Sequence, residues 1–297
     1  MEGNPHVPTE HGRFDYSAIV DRPKLVWPNG ARIAVWMIPN IEHFLFDRPS
    51  TPVTMATQHL KPDVLNYSWR DYGIRVGFWR VLEIMERHGF KGTVALNAMV
   101  CEKYPRVIEA GVAAGWEWMG HGATNSTMLN AQSEAEEREL IRDCVAQIAV
   151  ATGRKPRGWL GPALSETVNT LDILAENGID YVADWVNDEQ PYPMQVKTGK
   201  MTAIPYSIEL NDIPTFLDYK QDAETFSRNI CDTFDILYED GKETGRVMAI
   251  SVHPFLVGHP HRAKYLAQAL AHISSRQDVW ITTGSEIVDH YNASSAQ

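Results

Sequence analysis

One pattern recurs along the chain: an amphipathic helical period, a glycine, then a short β-rich run. It appears as VLEIMERHGFKGTVALNA, YPRVIEAGVAAGWEWMGHG, LIRDCVAQIAVATGRKPRGWLG, TLDILAENGIDYVADW and FDILYEDGKETGRVMAISVHP. Gly89, Gly115, Gly153, Gly178 and Gly241 stand where a helix end calls for left-handed φ. Ser133 followed by Glu136 is the signature of a capping box opening a helix. The runs TVAL, YVADW and VMAISV are too continuously apolar for a sheet with one wet face, so both faces should be covered. With ARIAVWMIP, MTAIPYS and VWITT the total reaches seven or eight strands. Strands alternating with helices imply a parallel sheet, and this many units without a second composition regime favour a closed barrel over an open sheet. The expected fold class is α/β, with one domain over residues 1–297. Residues 1–30 are expected to form an extended arm packed on the barrel or on a neighbouring subunit. The Pro-rich stretch NDEQPYPMQVKTGKM (187–201) reads as a long βα loop.

Composition narrows the partners. The chain has 297 residues, 44% hydrophobic and 22% charged, with a formal net charge of −11 and no extended Lys/Arg cluster. A polyanion would be repelled on average, which argues against nucleic acid. No apolar stretch of about 18 residues occurs, so no membrane span is expected. The opening MEGNPHVPTEHGRFDYS is polar and Pro-rich rather than a secretory leader. Cys101, Cys144 and Cys231 are far apart and match no CxxC pattern, as free thiols in a reducing compartment would. A cytoplasmic location is the expectation.

In a (β/α) barrel, chemistry gathers at the C-terminal ends of the strands. Here those ends carry Asn40, Glu42 and His43, then Asn97, His121, the WLGP segment, Asp184-Trp185, Tyr206 and His253. Glu42 follows an apolar strand and has aromatic neighbours, which suits a catalytic carboxylate, although a strand-end Glu is also an ordinary solvated rim residue. His121 lies between two glycines that let other groups approach; Asn125, four residues on, could equally cap a turn. His253 ends VMAISV and is a candidate general acid or base. Asp184 could be a structural acceptor and Trp185 a core wall; His259 and His261 read as surface or helix-start residues. His43, His121 and Asn125 offer two imidazoles and one weak amide oxygen, with no carboxylate among the three, so a zinc-like divalent ion and a metal-free site both stay open.

These motifs resemble the polysaccharide deacetylase (NodB-homology) superfamily, from about Pro28 to the C-terminus. The resemblance implies a distorted (β/α) barrel of about seven strands. It sets Ile41-Glu42-His43 on the family's Phe-Asp-Asp motif, so Glu42 takes the catalytic base and His43 a metal ligand. The His-x-x-x-His ligand pair falls on His121 and Asn125, with the second histidine missing. RGWLG keeps Arg157 and Gly161 of the Arg-x-Pro-x-Gly motif, with Trp159 in the proline's place. Asp184-Trp185 is similar to the motif that orients the base and lines the pocket, and His253 to the histidine that protonates the leaving nitrogen. YGIRVGFWRVLEIMERHG, GHGATNS and IPYSIELND resemble the cytoplasmic allantoinase-like and cyclic-imidase-like branch, whose members open small cyclic amides or ureides and are commonly homotetramers. The implied function is hydrolysis of a non-peptide C–N bond in a small-molecule ring. Glu42 would be the base, His253 the acid, His121 and Asn125 the oxyanion stabilisers, and Arg157, Trp159, Trp185 and Tyr206 would hold the ligand. Two alternatives remain: a metal-dependent N-deacetylase of polysaccharide or peptidoglycan, and an inactive barrel that binds a ligand.

Overall fold

The computed structural model describes residues 7–48 and 54–295. Nine strands form one sheet: β1 (Ile33–Ile41), β2 (Thr93–Leu96), β3 (Glu117–Gly120), β4 (Gly158–Trp159), β5 (Tyr181–Val182), β6 (Tyr192–Met194), β7 (Met201–Ala203), β8 (Arg246–Val252) and β9 (Val279–Thr282). Their order is β6-β7-β5-β4-β3-β2-β1-β8, with β9 also paired to β1. All pairings are parallel except β6 with β7. The result is a mostly parallel sheet curled into a distorted (β/α) barrel with helices outside.

Two expectations need correction. The stretch 187–201, read as a loop, contains β6, which forms an antiparallel edge with β7. Pro191 and Pro193 hid it, since proline is confined to strand edges. The barrel is also not closed by a ladder. Between β7 and β8, the backbone contacts across the seam among the described residues are an isolated Asn211–Ser251 bridge and the Val247 N–H to Glu189 carbonyl bond (2.8 Å).

Every residue of β1 and of β8 is buried, as a sheet covered on both faces requires. Side chains alternate between two layers. Ala34, Trp36 and Ile38 join Ala95, Met119, Leu160, Ala183, Ile204, Val247 and Ala249 inside the barrel. Ile33, Val35, Met37, Val94, Leu96 and Trp118 face the helices instead.

The helices follow the periodicity. Ser133 and Glu136 form the capping box of the helix Glu134–Thr152. Gly89, Gly115, Gly153 and Gly178 have φ of 75°, 69°, 73° and 75°. Gly241 departs, with φ −63°; glycine is needed there because a Cβ would lie 2.3 Å from the Arg32 carbonyl oxygen. Within the expected arm, residues 1–6 lie outside the described residues, and the remainder packs on the barrel. Arg13 bridges to Asp172 at 3.1 Å, Arg22 to Asp188 at 2.7 Å, and the buried Trp27 indole donates to the Arg246 carbonyl at 2.8 Å. No helix among the described residues is long and apolar enough to cross a membrane.

Candidate active site

The period of two decides which rim residues meet. Continuing the inward parity of each strand past its end brings Glu42 from β1, Asn97 from β2, His121 from β3 and His253 from β8 to the barrel mouth. His43 has the opposite parity.

Glu42 is the centre, and is only 7% exposed. Its Oε1 lies 3.4 Å from His121 Nε2 and 3.5 Å from His253 Nε2, and accepts a hydrogen bond from Asn125 Nδ2. Its Oε2 is buried without a hydrogen-bond partner. Behind His253 stands Asp212, wholly buried, whose Oδ1 accepts from Nδ1 at 2.7 Å while Oδ2 accepts from the His253 backbone N–H at 2.9 Å. An acid–imidazole–acid line therefore runs Asp212, His253, Glu42.

The charges follow from this line. Burial alone would raise Glu42, but the charge of His253 and its hydrogen bond outweigh it and hold the carboxyl at about 2. Burial alone would lower His253, but Glu42 and Asp212 on either side raise it to about 9. At neutral pH the pair is carboxylate and imidazolium.

Asn97 fixes the neighbouring amides. Its Oδ1 accepts from the His43 backbone N–H at 2.8 Å, so its Nδ2 must be the group that reaches the His121 carbonyl and Asn125 Oδ1, the latter at 2.9 Å. The Asn125 NH2 is then the end that faces Glu42. The Asn125 backbone N–H completes the loop by donating to the His43 carbonyl at 3.0 Å.

A narrow cavity of about 10 Å³ opens on Glu42, bounded by His43, Phe44, Tyr67, Arg70 and Tyr104. It holds about one water. Arg70 is 5% exposed, with its guanidinium 4.5 Å from the Phe44 ring centre. Burial lowers it to about 10 against the attraction of Glu42 and Asp63, which leaves it a cation at neutral pH.

Several expected site residues stand elsewhere. Arg157 precedes β4, at the opposite end of the strand from the rim, and pairs with Asp180 at 2.8 Å and Asp289 at 2.7 Å. Trp159 is fully buried between the sheet and the helices, packed over Gly120. Tyr206 is buried in the barrel interior, its hydroxyl bonded to Ser251 Oγ at 2.7 Å and to Asn211 Nδ2 at 2.9 Å. Trp185 donates to Glu166 Oε1 at 3.1 Å and packs on Phe14 of the arm. Asp184 accepts from the Gly161 N–H at 2.7 Å, its other carboxyl oxygen is buried without a hydrogen-bond partner, and the charge that raises its pKa beyond the effect of burial is that of Glu166, not Glu42. His259 stacks on Tyr72 at the start of the helix Pro260–Ser274, as a helix-start residue would.

The three expected metal ligands do not form one donor set. The His43 ring turns to Tyr104, with Nδ1 3.3 Å from the hydroxyl. The Asn125 oxygen is taken by Asn97, which leaves a donor NH2 toward the site. Among the described residues no group of three His, Cys, Asp or Glu side chains is placed to hold a metal ion. Sequence reasoning missed Asp212 and Arg70. The only signal was an Asp just after the strand MTAIPYS, in a loop whose path the sequence does not give.

Residues 67–182 match the polysaccharide deacetylase family model. That segment is similar to a polysaccharide deacetylase domain. It contains His121 and Asn125, while Glu42 and His253 flank it in sequence. A Schizosaccharomyces pombe protein assigned to the polysaccharide deacetylases is 28% identical over 299 residues, covering 90% of this chain and 92% of that protein. Among solved structures, PuuE allantoinase has a TM-score of 0.83 at 27% identity, covering 94% of this chain and 98% of its own. A Pseudomonas aeruginosa PAO1 protein described as a polysaccharide deacetylase has a TM-score of 0.82 at 28% identity, covering 92% and 95%. The deacetylase-type barrel expected from the motifs is thus the one observed.

Proposed function

We propose that the protein is a hydrolase of C–N bonds other than peptide bonds that opens a small cyclic amide, imide or ureide. The observation that carries this reading is the buried Asp212–His253–Glu42 line beside a cavity of about one water. The similarity to PuuE allantoinase supports a small ring as substrate.

The chemistry is general acid–base catalysis. Glu42 takes a proton from the attacking water, and His253 gives its Nε2 proton to the departing ring nitrogen. A carboxylate held at about 2 is by itself a weak base. Its weakness comes from the His253 charge, so proton donation by His253 removes what depresses Glu42, and the two transfers reinforce each other. After ring opening, the proton on Glu42 returns to His253 Nε2, which lies 3.5 Å away. Arg70, bounding the same cavity, and the Asn125 NH2 face the developing oxyanion. No step is routed through a metal, because His43 and the Asn125 oxygen are engaged elsewhere.

The test is a hydrolysis screen over cyclic imides, hydantoins, allantoin and N-acetylated oligosaccharides, with and without chelator. Ring opening that depends on Glu42 is the expected result. Acetate release from the sugars without ring opening would overturn the reading in favour of an N-deacetylase. A cytoplasmic location and a homotetramer belong to the same proposal; fractionation and solution sizing test them.

A further inference from the structure

Asp184 does not reach Glu42, yet it is connected to the site through a single peptide group. The Leu160–Gly161 peptide is bonded at both ends. Its N–H donates to Asp184 Oδ1 at 2.7 Å, and its carbonyl accepts from His121 Nδ1. A carbonyl can only accept, so the Nδ1 position of His121 carries the proton and Nε2 is presented to Glu42. The peptide is clamped as well as bonded. A Cβ on Gly161 would lie 2.5 Å from the Ser165 carbonyl oxygen and 3.3 Å from Asp184 Oδ2. Asp184 Oδ2 is buried without a hydrogen-bond partner, and the neighbouring Glu166 accepts from the Trp185 indole at 3.1 Å. Burial raises Glu166 to about 7, and burial together with the nearby Glu166 charge raises Asp184 well above the ordinary carboxylate range.

We propose that Asp184 and Glu166 are positioning residues that set the ring orientation and tautomer of His121 through the Leu160–Gly161 peptide. A peptide whose N–H is bonded to a carboxyl group has a more electron-rich carbonyl, which binds the Nδ1–H more tightly. The acid pair holds the imidazole without touching it. The kinetic consequence rests on the hydrolase reading above; the hydrogen-bond relay does not.

The experiment is nitrogen-15 NMR of histidine- and glycine-labelled full-length protein, alongside kinetics, for Asp184→Leu, Asp184→Asn and Glu166→Gln. The wild type should show His121 protonated at Nδ1. Asp184→Leu removes the acceptor, so that signature should give way to a mixture of tautomers, with kcat down about tenfold and KM within about twofold. Asp184→Asn should restore both, because its amide oxygen still accepts from Gly161. Glu166→Gln keeps the Trp185 contact and removes the charge that adds to burial in raising Asp184, so the ionised form of Asp184 gains and the Gly161 amide and His121 Nδ1–H resonances should move downfield together. If Asp184→Leu does not fold, that paired movement decides alone. A Gly161 shift with an unmoved His121, or an unchanged tautomer in Asp184→Leu, overturns the relay. If no substrate turns over, the hydrolase reading fails while the NMR arm still decides the relay.

Discussion

Glu42 at the end of β1 and Asp184 beyond the end of β5 are both buried acids on one rim, yet burial has opposite outcomes for them. Glu42 stands beside the His253 charge and the Asn125 amide, so its charged form is favoured and its pKa falls to about 2. For Asp184 burial disfavours the charged form, the nearby Glu166 carboxyl adds to it instead of offsetting it, and its pKa rises well above the ordinary value. The residue type does not decide; the sign of the nearest partner does. The supports differ too. Glu42 and His253 extend β1 and β8, which pair from Ile33 with Arg246 to Pro39 with Val252. Such long adjacent strands hold two side chains at a fixed separation. β4 and β5 are two residues each, so the acid pair beside them depends on the Gly161 N–H and the Trp185 indole for its position.

The sharpest way to break this contrast is Glu42→Gln. It removes the base while keeping the shape and the Asn125 contact. Turnover should fall by about 10³-fold, within the range for a general base, with ligand affinity retained by calorimetry. A residual rate above a tenth of wild type would remove Glu42 from the chemistry.

Next in size is Asp212→Asn, with about a 10²-fold loss of kcat. It also shifts a limb of the pH profile. His253 acts as an acid, so activity is present below its pKa and lost as pH rises through about 9. Stability has the same sign. The folded value lies above the ordinary 6.5, so the stabilisation is complete below 6.5 and disappears as pH rises through about 9. In Asp212→Asn both limbs should move to lower pH, read by rate profiles and by thermal melts. An unmoved alkaline limb would mean that another group carries it.

Asn97→Ala should cost about tenfold in kcat, because Asn125 loses the bond that aims its NH2 at Glu42 and the His43 N–H loses its acceptor. Restoration by Asn97→Asp, which keeps an acceptor for His43 but cannot donate to Asn125, would show that the His43 bond matters more.

How far the site could be read in the sequence follows from the same geometry. Glu42, His121, Asn125 and His253 were legible because they sit at or just past strand ends and the first, second and last continue an inward parity. His43 failed on parity: one residue past Glu42, its ring turns to Tyr104. Trp159 failed for the same reason, since its neighbour Leu160 faces the barrel interior while it faces the helices. Asp212 and Arg70 reach the site from a loop and from the helix Val64–Tyr72, by tertiary packing that no local pattern encodes. Most of the barrel was readable because helix and strand periods alternate; the proline-bearing edge strand β6 and the open seam were not.

Arg157 gives the smallest expected effect, and it tests the reasoning from strand direction. A resemblance of motifs placed it at the ligand, but it precedes β4, and chain direction puts the residue before a parallel strand at the end away from the rim. There its guanidinium bridges Asp180 and Asp289, with about two-fifths of the side chain exposed (38%). Exposed ion pairs contribute little, because water already solvates both partners and salt screens them. Arg157→Ala should therefore leave kcat and KM within about twofold and cost at most about 1 kcal/mol in denaturant unfolding. A rise in KM of tenfold or more would mean that this residue feels the substrate. That result would draw the bottom of the barrel into the site and undo the separation between rim chemistry and basal packing on which the assignment of Glu42 and His253 depends.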